Sequence, residues 1–478
     1  MSFFEYLTDR EFIVYALTCL FFLGICIHSK NIYKVKKHLK MINDYSLPAG
    51  EIEVIARSLN VAIPRLGIFI PARNEAKVIE NTLKHISKID YPKERLTIYV
   101  IVDERERDDN VPEMTINIAR NTSEFLNKEY GENYIKIVEV PKWYSGIFGD
   151  TRKTFSKSTK GRALNYCLQT LTLKDFDITS KNNKLDMIGI LDADGRLHQN
   201  VLKEVAVKRM KHNYKILQGP VFQVNNFDKV SIVGIAAALE LALHHLTELP
   251  SSLLKENAFQ FLAGTNYFID TVAIKSAGGW DQTALVEDAE LALRLYSNYG
   301  IVGSWLNSPE LEQTPANFSI YRKQRERWVR GHLSLVKQIS KSSLKASEKI
   351  SLYNKIFFSQ FRFLLDIGLP ILSIYLMILG ISNFVDPFFG YLSIMLFIAS
   401  IFILDMYGFM FRKLAQYISP DIGLRVKITQ SVGLLLFTPF FIFIQAIPRI
   451  QAVYNIIIHP NRNTWYKTER TEEVSIMT

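Results

Sequence analysis

The way apolar residues are distributed along this 478-residue chain constrains its fold more than any single motif does. Hydrophobic residues make up 48% of the sequence and charged residues 22%, and the two are segregated rather than mixed. Phe12 to His28 is an almost uninterrupted apolar run, near the minimum length that crosses a hydrocarbon core as a helix. Glu5, Asp9, Arg10 and Glu11 precede it, and Lys30, Lys34, Lys36, Lys37 and Lys40 follow. A cleaved signal peptide has the opposite polarity, so the run predicts a signal anchor with the following residues in the cytosol. Residues 30–60, basic and then amphipathic, read as a surface-lying linker.

The far end of the chain is apolar again. Leu364 to Ile381 and Tyr391 to Phe411 are joined by a short loop without Lys or Arg and are followed at once by Arg412 and Lys413. They predict a membrane hairpin whose loop faces away from the cytosol. Asp366 and Asp405, in or beside these spans, would line a water-filled path or pack inside a helix bundle. Val432 to Ile458 contains Pro439, Pro448 and Arg449. It reads as a broken, re-entrant or surface-lying segment that leaves the tail cytosolic.

The net charge of +10 does not point to nucleic acid. Many basic residues flank the apolar runs, where anionic lipid is the simpler partner, and no nucleic-acid-binding motif is present. Cys19 and Cys26 lie in the first apolar run and Cys167 stands alone, so no disulfide framework or cysteine metal site is implied.

Between the apolar ends the pattern is that of an α/β domain. Leu66–Ile70, Leu96–Val102, Tyr134–Val140 and Met187–Leu191 are short β-branched runs, with helical patterns at roughly 75–88, 112–128 and 161–173. Such alternation predicts βαβ units and a mainly parallel sheet, which binds ligands beyond the carboxyl ends of its strands. Four regions follow: 1–60, anchor and linker; 61–345, α/β domain; 346–460, membrane and interfacial helices; 461–478, cytosolic tail. Residues 141–160 form a long, basic loop, either a mobile surface loop or a substrate-covering lid.

The polar motifs fall at those strand ends. Ile188-Gly-Ile-Leu-Asp192-Ala-Asp194 places two carboxylates just past an apolar strand. Oxygen ligands of this kind hold Mg²⁺ or Mn²⁺ together with a substrate diphosphate, whose charge grows as a sugar–phosphate bond breaks. A surface turn is the plain alternative. Asp103 and the segment Pro71-Ala72-Arg73-Asn74-Glu75 end two neighbouring strands, either as a nucleoside site or as ordinary turns. Lys160-Gly-Arg-Ala-Leu-Asn165 opens a helix, suited to phosphate or to simple capping. Val286-Glu287-Asp288 heads an amphipathic helix, so its carboxylates are either dipole partners or a general base. Gln324-Arg-Glu-Arg327-Trp328 combines an arginine fork with an aromatic ring in a basic segment. A cationic helix lying on a membrane would carry the same residues.

In this order the motifs resemble those of the membrane-integrated inverting glycosyltransferases of family two, the group of cellulose, hyaluronan and chitin synthases. The resemblance covers roughly residues 60–470. It implies a GT-A-type fold, a mostly parallel sheet with flanking helices, with membrane and interfacial helices at both ends. It also implies a nucleotide-sugar donor bound by Pro71, Ala72, Glu75, Asp103, Lys160 and Asp192, and Mg²⁺ or Mn²⁺ on Asp192 and Asp194. Asp288, with Glu287 beside it, would be the base. Gln324, Arg327 and Trp328 would hold diphosphate and acceptor. Gly264 and Thr265 lie in Phe261-Leu-Ala-Gly-Thr-Asn266, similar to the family's segment below the acceptor. Trp465, Thr468 and Arg470 are similar to its tail element over the nucleotide. Asp103 is followed by Glu-Arg-Glu, where soluble relatives carry a second Asp and small residues. The expected enzyme sits in a membrane, the plasma membrane by this reading, with a cytosolic catalytic domain. It builds a β-linked polysaccharide or, as ceramide glucosyltransferases do, glycosylates one lipid.

Overall fold

The computed structural model describes residues 29–150, 158–173, 185–255, 258–361, 424–459 and 469–471, with a few single positions beside them. Most of the run Phe12–His28, most of the 364–411 hairpin, Asp366, Asp405, Trp465 and Thr468 lie outside the described residues, as do 151–157 of the basic loop.

Ten strands are described: β1 (Leu66–Ala72), β2 (Leu96–Asp103), β3 (Ile135–Val140), β4 (Met187–Ile190), β5 (Arg196–Leu197), β6 (Ile216–Gln218), β7 (Val221–Gln223), β8 (Tyr267–Asp270), β9 (Ser304–Trp305) and β10 (Glu310–Glu312). Seven form one sheet in the order β3-β2-β1-β4-β8-β6-β9, and β5-β10-β7 form a second. β3, β2, β1 and β4 run parallel, whereas β8 is antiparallel to both β4 and β6. The main sheet is therefore mostly parallel, as the alternating runs predict.

Both faces of this sheet are covered, which is why its strands read as continuous apolar runs. Side chains alternate between the two layers with the period of two that a strand imposes. Ile68, Ile70, Ile98 and Val100 pack with Val78 and Leu83 of the Ala76–Ser87 helix. Phe69, Tyr99 and Ile101 pack on the other side with Leu164 and Leu168 of the Lys160–Leu173 helix and Leu291 of the Glu287–Tyr299 helix. Within the order 3-2-1-4, the sequence of strand addition switches sides between the parallel strands β1 and β4, and the crevice at their carboxyl ends collects the motif loops.

Two sequence expectations need correction. The helix at 29–43 is not a surface linker: Val35, Leu39 and Ile42 are buried with Leu239 and Leu246 of the Ile232–Leu253 helix. Residues 432–458 are not broken at their prolines but belong to one helix, Leu424–Ile458. Packing compensates for the lost backbone bonds, since Phe441 lies against Tyr321 and Arg449 pairs with Glu240 at 2.8 Å. In the basic Phe318–Lys341 helix not every cation faces outward. Arg325 and Arg330 turn inward to Glu240 and Glu326, at 3.1 and 3.2 Å.

Among the described residues, Ile232–Leu253 is the one helix long and apolar enough to cross a membrane. Two thirds (67%) of its most apolar stretch is buried inside the protein, the pattern of a core helix. Within residues 141–150, Tyr144 and Ser145 are buried, whereas Trp143 and Ile147 are exposed.

Candidate active site

At the end of β1, Pro71 and Ala72 pair in register with Ile101 and Val102 of β2. Past them Glu106 ties the two strand-end loops together, accepting from the N–H groups of Asn74 at 3.1 Å and Thr115 at 2.9 Å. Glu75 is buried and precedes the Ala76–Ser87 helix. Asp103 closes β2 with both oxygens engaged by the protein: Oδ1 by the Arg105 N–H at 3.1 Å, Oδ2 by Ser158 and, at 2.8 Å, by Arg162. Arg162 is fully buried and also donates to the carbonyls of Pro141 and Tyr144. Two residues before it, Lys160 starts the same helix.

Just past β4 the chain turns tightly, with the Gly195 N–H donating to the Asp192 carbonyl at 2.9 Å. Glycine suits position 195, where a Cβ would collide with Glu310 Oε1 and Leu191 Cδ1. Asp194 is completely buried, accepting from the Gln313 N–H at 3.0 Å and pairing with Arg470 at 2.8 Å. Oxygen atoms of Asp192, Asp194 and Glu312 lie within 4.8 Å of one another. Glu312 Oε1 is buried with no hydrogen-bond partner among the described residues. Burial pushes the Glu312 carboxyl well up, and the charges of Asp194 and Asp192 push it further. A hard divalent cation, Mg²⁺ or Mn²⁺, fits this donor set and would satisfy the orphaned oxygen.

Glu312 was not among the sequence candidates. The available signal is Glu310-Leu-Glu312, two carboxylates at strand spacing that share one face of β10. Such a pair says nothing by itself about the Asp192 turn. Pairing of β10 with β5, which follows that turn, brings them together.

Lys160 joins this cluster to the others. Its ammonium pairs with Asp192 and donates to the Gly264 carbonyl at 2.8 Å. Burial works against its charge, but the carboxylates of Asp192, Glu287 and Asp288 outweigh burial and hold the ammonium protonated. Thr265 accepts from the Asp192 N–H at 3.1 Å and donates to Glu310. Gly264 has a φ of 80° and abuts Asp288.

Glu287 and Asp288 open the Glu287–Tyr299 helix. Burial raises both carboxyls; with the added repulsion of Asp288, Glu287 is pushed up to about 7. Arg327 donates to the Leu285 carbonyl at 2.9 Å, while its Nε is buried without a partner among the described residues. Burial lowers its pKa against the pull of Glu287, Asp288 and Asp192. Gln324 is buried and accepts from Arg325 at 3.1 Å. The Arg325 guanidinium stacks 4.3 Å from the centre of the half-buried Trp328 ring. Asp192, Asp194, Lys160, Gly264, Thr265, Glu287, Asp288, Arg327 and Arg470 thus share one charged centre.

Known proteins resemble the chain in the same region. The description "Glycosyl transferase family group 2" matches residues 187–411. A probable glycosyltransferase of Bacillus subtilis, YdaM, is 25% identical over 85% of this chain and 87% of its own. A probable glucomannan 4-beta-mannosyltransferase of Arabidopsis thaliana is 26% identical over 66% of this chain, and the beta-monoglucosyldiacylglycerol synthase of Synechocystis is 23% identical over 57%. The match spans about half of each of these two proteins, 53% and 48%. Among solved structures, the mannosyltransferase PcManGT of Pyrobaculum calidifontis, in complex with GDP-Man and Mn²⁺, aligns at a TM-score of 0.47 and 15% identity over 92% of this chain and 99% of its own. Residues 187–411 are thus similar to family-two glycosyltransferases, and the first two relatives named above carry glycosyltransferase names.

Proposed function

We propose that this protein is a membrane-seated, inverting, metal-dependent hexosyltransferase that extends a β-linked glycan from a nucleotide-sugar, UDP-hexose or UDP-N-acetylhexosamine. The observation that carries the reading is the convergence on Lys160: its ammonium touches Asp192 and Gly264, and Gly264 abuts Asp288. The proposed base and the proposed diphosphate site thereby act on the same ammonium.

Inversion has the acceptor oxygen attack the anomeric carbon opposite the diphosphate. As that C–O bond forms, the bond to the diphosphate oxygen breaks, and the acceptor proton passes to Asp288. Its raised pKa makes it a stronger base than an ordinary aspartate. Lys160 and Arg327 offset the charge of the departing diphosphate in a buried setting, where fixed charges act most strongly. A divalent cation on Asp192, Asp194 and Glu312 would neutralise more of that charge. Pro71, Ala72, Glu75 and Asp103 would frame the nucleoside. Gln324 and Trp328 would meet the acceptor's terminal sugar, with Trp465 and Thr468 over the nucleotide.

A membrane seat is supported by the Leu424–Ile458 helix. Phe440, Phe443, Ile447, Ile450, Tyr454 and Ile457 are exposed at three- and four-residue spacing, while Phe441 and Ala452 on its other side are buried. An exposed apolar stripe of this kind suits the lipid interface or apolar spans packed beside it. We place the catalytic domain at 61–345, the membrane and interfacial helices at 346–460, and both the domain and the 461–478 tail on the cytosolic side of the plasma membrane.

Relatives named for glucomannan synthesis favour a polymer product, and the one named for a glucosyl-diacylglycerol favours a single transfer to lipid. Membranes containing the protein, offered a panel of radiolabelled nucleotide-sugars with Mn²⁺ or Mg²⁺, should incorporate one sugar. A ladder cleaved by a β-linkage-specific hydrolase supports polymer synthesis, and a lipid with one added sugar supports the second reading. No incorporation from any donor would reject both.

A further inference from the structure

The C-terminal tail places a cation of its own among the proposed metal ligands. Arg470 Nη2 lies 2.8 Å from Asp194 Oδ1, and its Nε lies 3.8 Å from Glu75 Oε2. The guanidinium is largely buried; burial disfavours its charge, but Asp194, Glu75, Asp192 and Glu312 more than compensate. Thr471 anchors the strap, its N–H donating to Gln313 Oε1 at 2.9 Å and its carbonyl accepting from Gln313 Nε2 at 3.0 Å. Gln313 in turn follows Glu312, and its own N–H holds the other oxygen of Asp194. Tail, anchor and carboxylate trio are therefore mechanically one unit.

We propose that Arg470 is a built-in competitor for the cation site: the guanidinium and a divalent cation exchange at Asp194, so that metal binding and tail release are coupled. This rests on the reading of Asp192, Asp194 and Glu312 as the cation site. Buried carboxylates this close repel one another, and some positive charge must stay among them. An arginine fork supplies it as a monovalent, tethered group; a divalent cation supplies more but needs the same Asp194 oxygen. Two ligands that exclude each other on one oxygen are thermodynamically linked, and the linkage is reciprocal. The tail would thus keep Asp194 paired when metal is scarce and become available to other anions once metal binds.

The test is Mn²⁺ binding to the purified full chain without nucleotide, read from the electron paramagnetic resonance signal of free Mn²⁺. Arg470→Gln should bind Mn²⁺ about tenfold more tightly than the wild type, within the usual range of such couplings. Gln313→Ala, which loosens the Thr471 anchor but leaves every carboxylate, should shift affinity the same way by less. In the wild type, saturating Mn²⁺ should speed hydrogen exchange at the Thr471 amide. Equal or weaker Mn²⁺ binding by Arg470→Gln, or unchanged Thr471 protection, overturns the exchange. Asp194→Asn separates the two ideas: if it binds Mn²⁺ as the wild type does, the cation-site reading itself is wrong, whereas lost binding leaves only the exchange at issue.

Discussion

A Cβ placed on Gly264 would lie 3.5 Å from Asp288 Oδ2, so the carboxylate proposed as base sits against the backbone of the Phe261–Asn266 segment. That segment also receives the Lys160 ammonium at its Gly264 carbonyl. Gly264, with an ammonium on its carbonyl and the Asp288 carboxylate on the side a Cβ would take, would form one wall of the place where an acceptor hydroxyl loses its proton.

Asp288→Asn should therefore lower kcat about 10²–10⁴-fold, the usual contribution of a positioned base. Donor affinity should change little, because the amide keeps the shape of the wall. Isothermal titration with nucleoside diphosphate, beside radiolabel transfer, checks both halves. Undiminished turnover rejects the assignment.

The pH profile follows from the same pair. Burial raises the Asp288 carboxyl, and burial with Asp288 repulsion pushes Glu287 up to about 7. A group with a raised pKa holds its proton to higher pH, and a protonated base cannot act. Hence kcat/KM should fall on the acid side at a higher pH than an ordinary aspartate base would give. An acidic limb no higher than that of an ordinary aspartate would contradict the assignment.

Glu312→Gln separates stability from metal binding. The Glu312 carboxyl is pushed well above its ordinary range by burial and by Asp194 and Asp192. Its folded pKa exceeds its unfolded one, so its ionisation destabilises the fold increasingly above the unfolded value. In the absence of metal, the glutamine variant should melt at an equal or higher temperature than the wild type at neutral pH. Metal-induced stabilisation should shrink, with affinity down on the order of 10-fold or more. A lower Tm with an unchanged metal response would place Glu312 outside the site.

Glu240 is flanked by Arg325 at 3.1 Å and Arg449 at 2.8 Å, joining the Ile232–Leu253, Phe318–Lys341 and Leu424–Ile458 helices. Glu240→Ala would strand two largely buried guanidinium groups. The expected loss is about 3–5 kcal/mol, the usual cost of breaking a buried pair. Thermal unfolding measures it, and a shift of only a degree or two would show the network to be dispensable.

Much of this arrangement could be read from local pattern. The runs at β1 to β4 declare themselves because strands buried on both faces need uninterrupted β-branched residues, and the motif loops sit where those runs stop. Asp192, Asp194, Lys160 and Asp288 could be chosen because each stands at a strand end or helix start. Glu312 gave no such sign, lying in a three-residue strand whose pairing depends on β5 and β7, far away in sequence. Pro439 and Pro448 read as breaks, yet the helix runs through both. The Ile232–Leu253 helix is apolar because the helix at 29–43 and the Leu424–Ile458 helix close around it.

The sequence by itself determined the α/β alternation, the strand-end carboxylates and the basic helix starts, because hydrophobic periodicity and turn chemistry act over a few residues. Tertiary structure alone decided that Arg470 meets Asp194, that Glu312 completes a carboxylate trio, and that Asp103 pairs with Arg162. Those contacts join residues far apart in the chain, and their energies depend on burial and on the charges gathered around them.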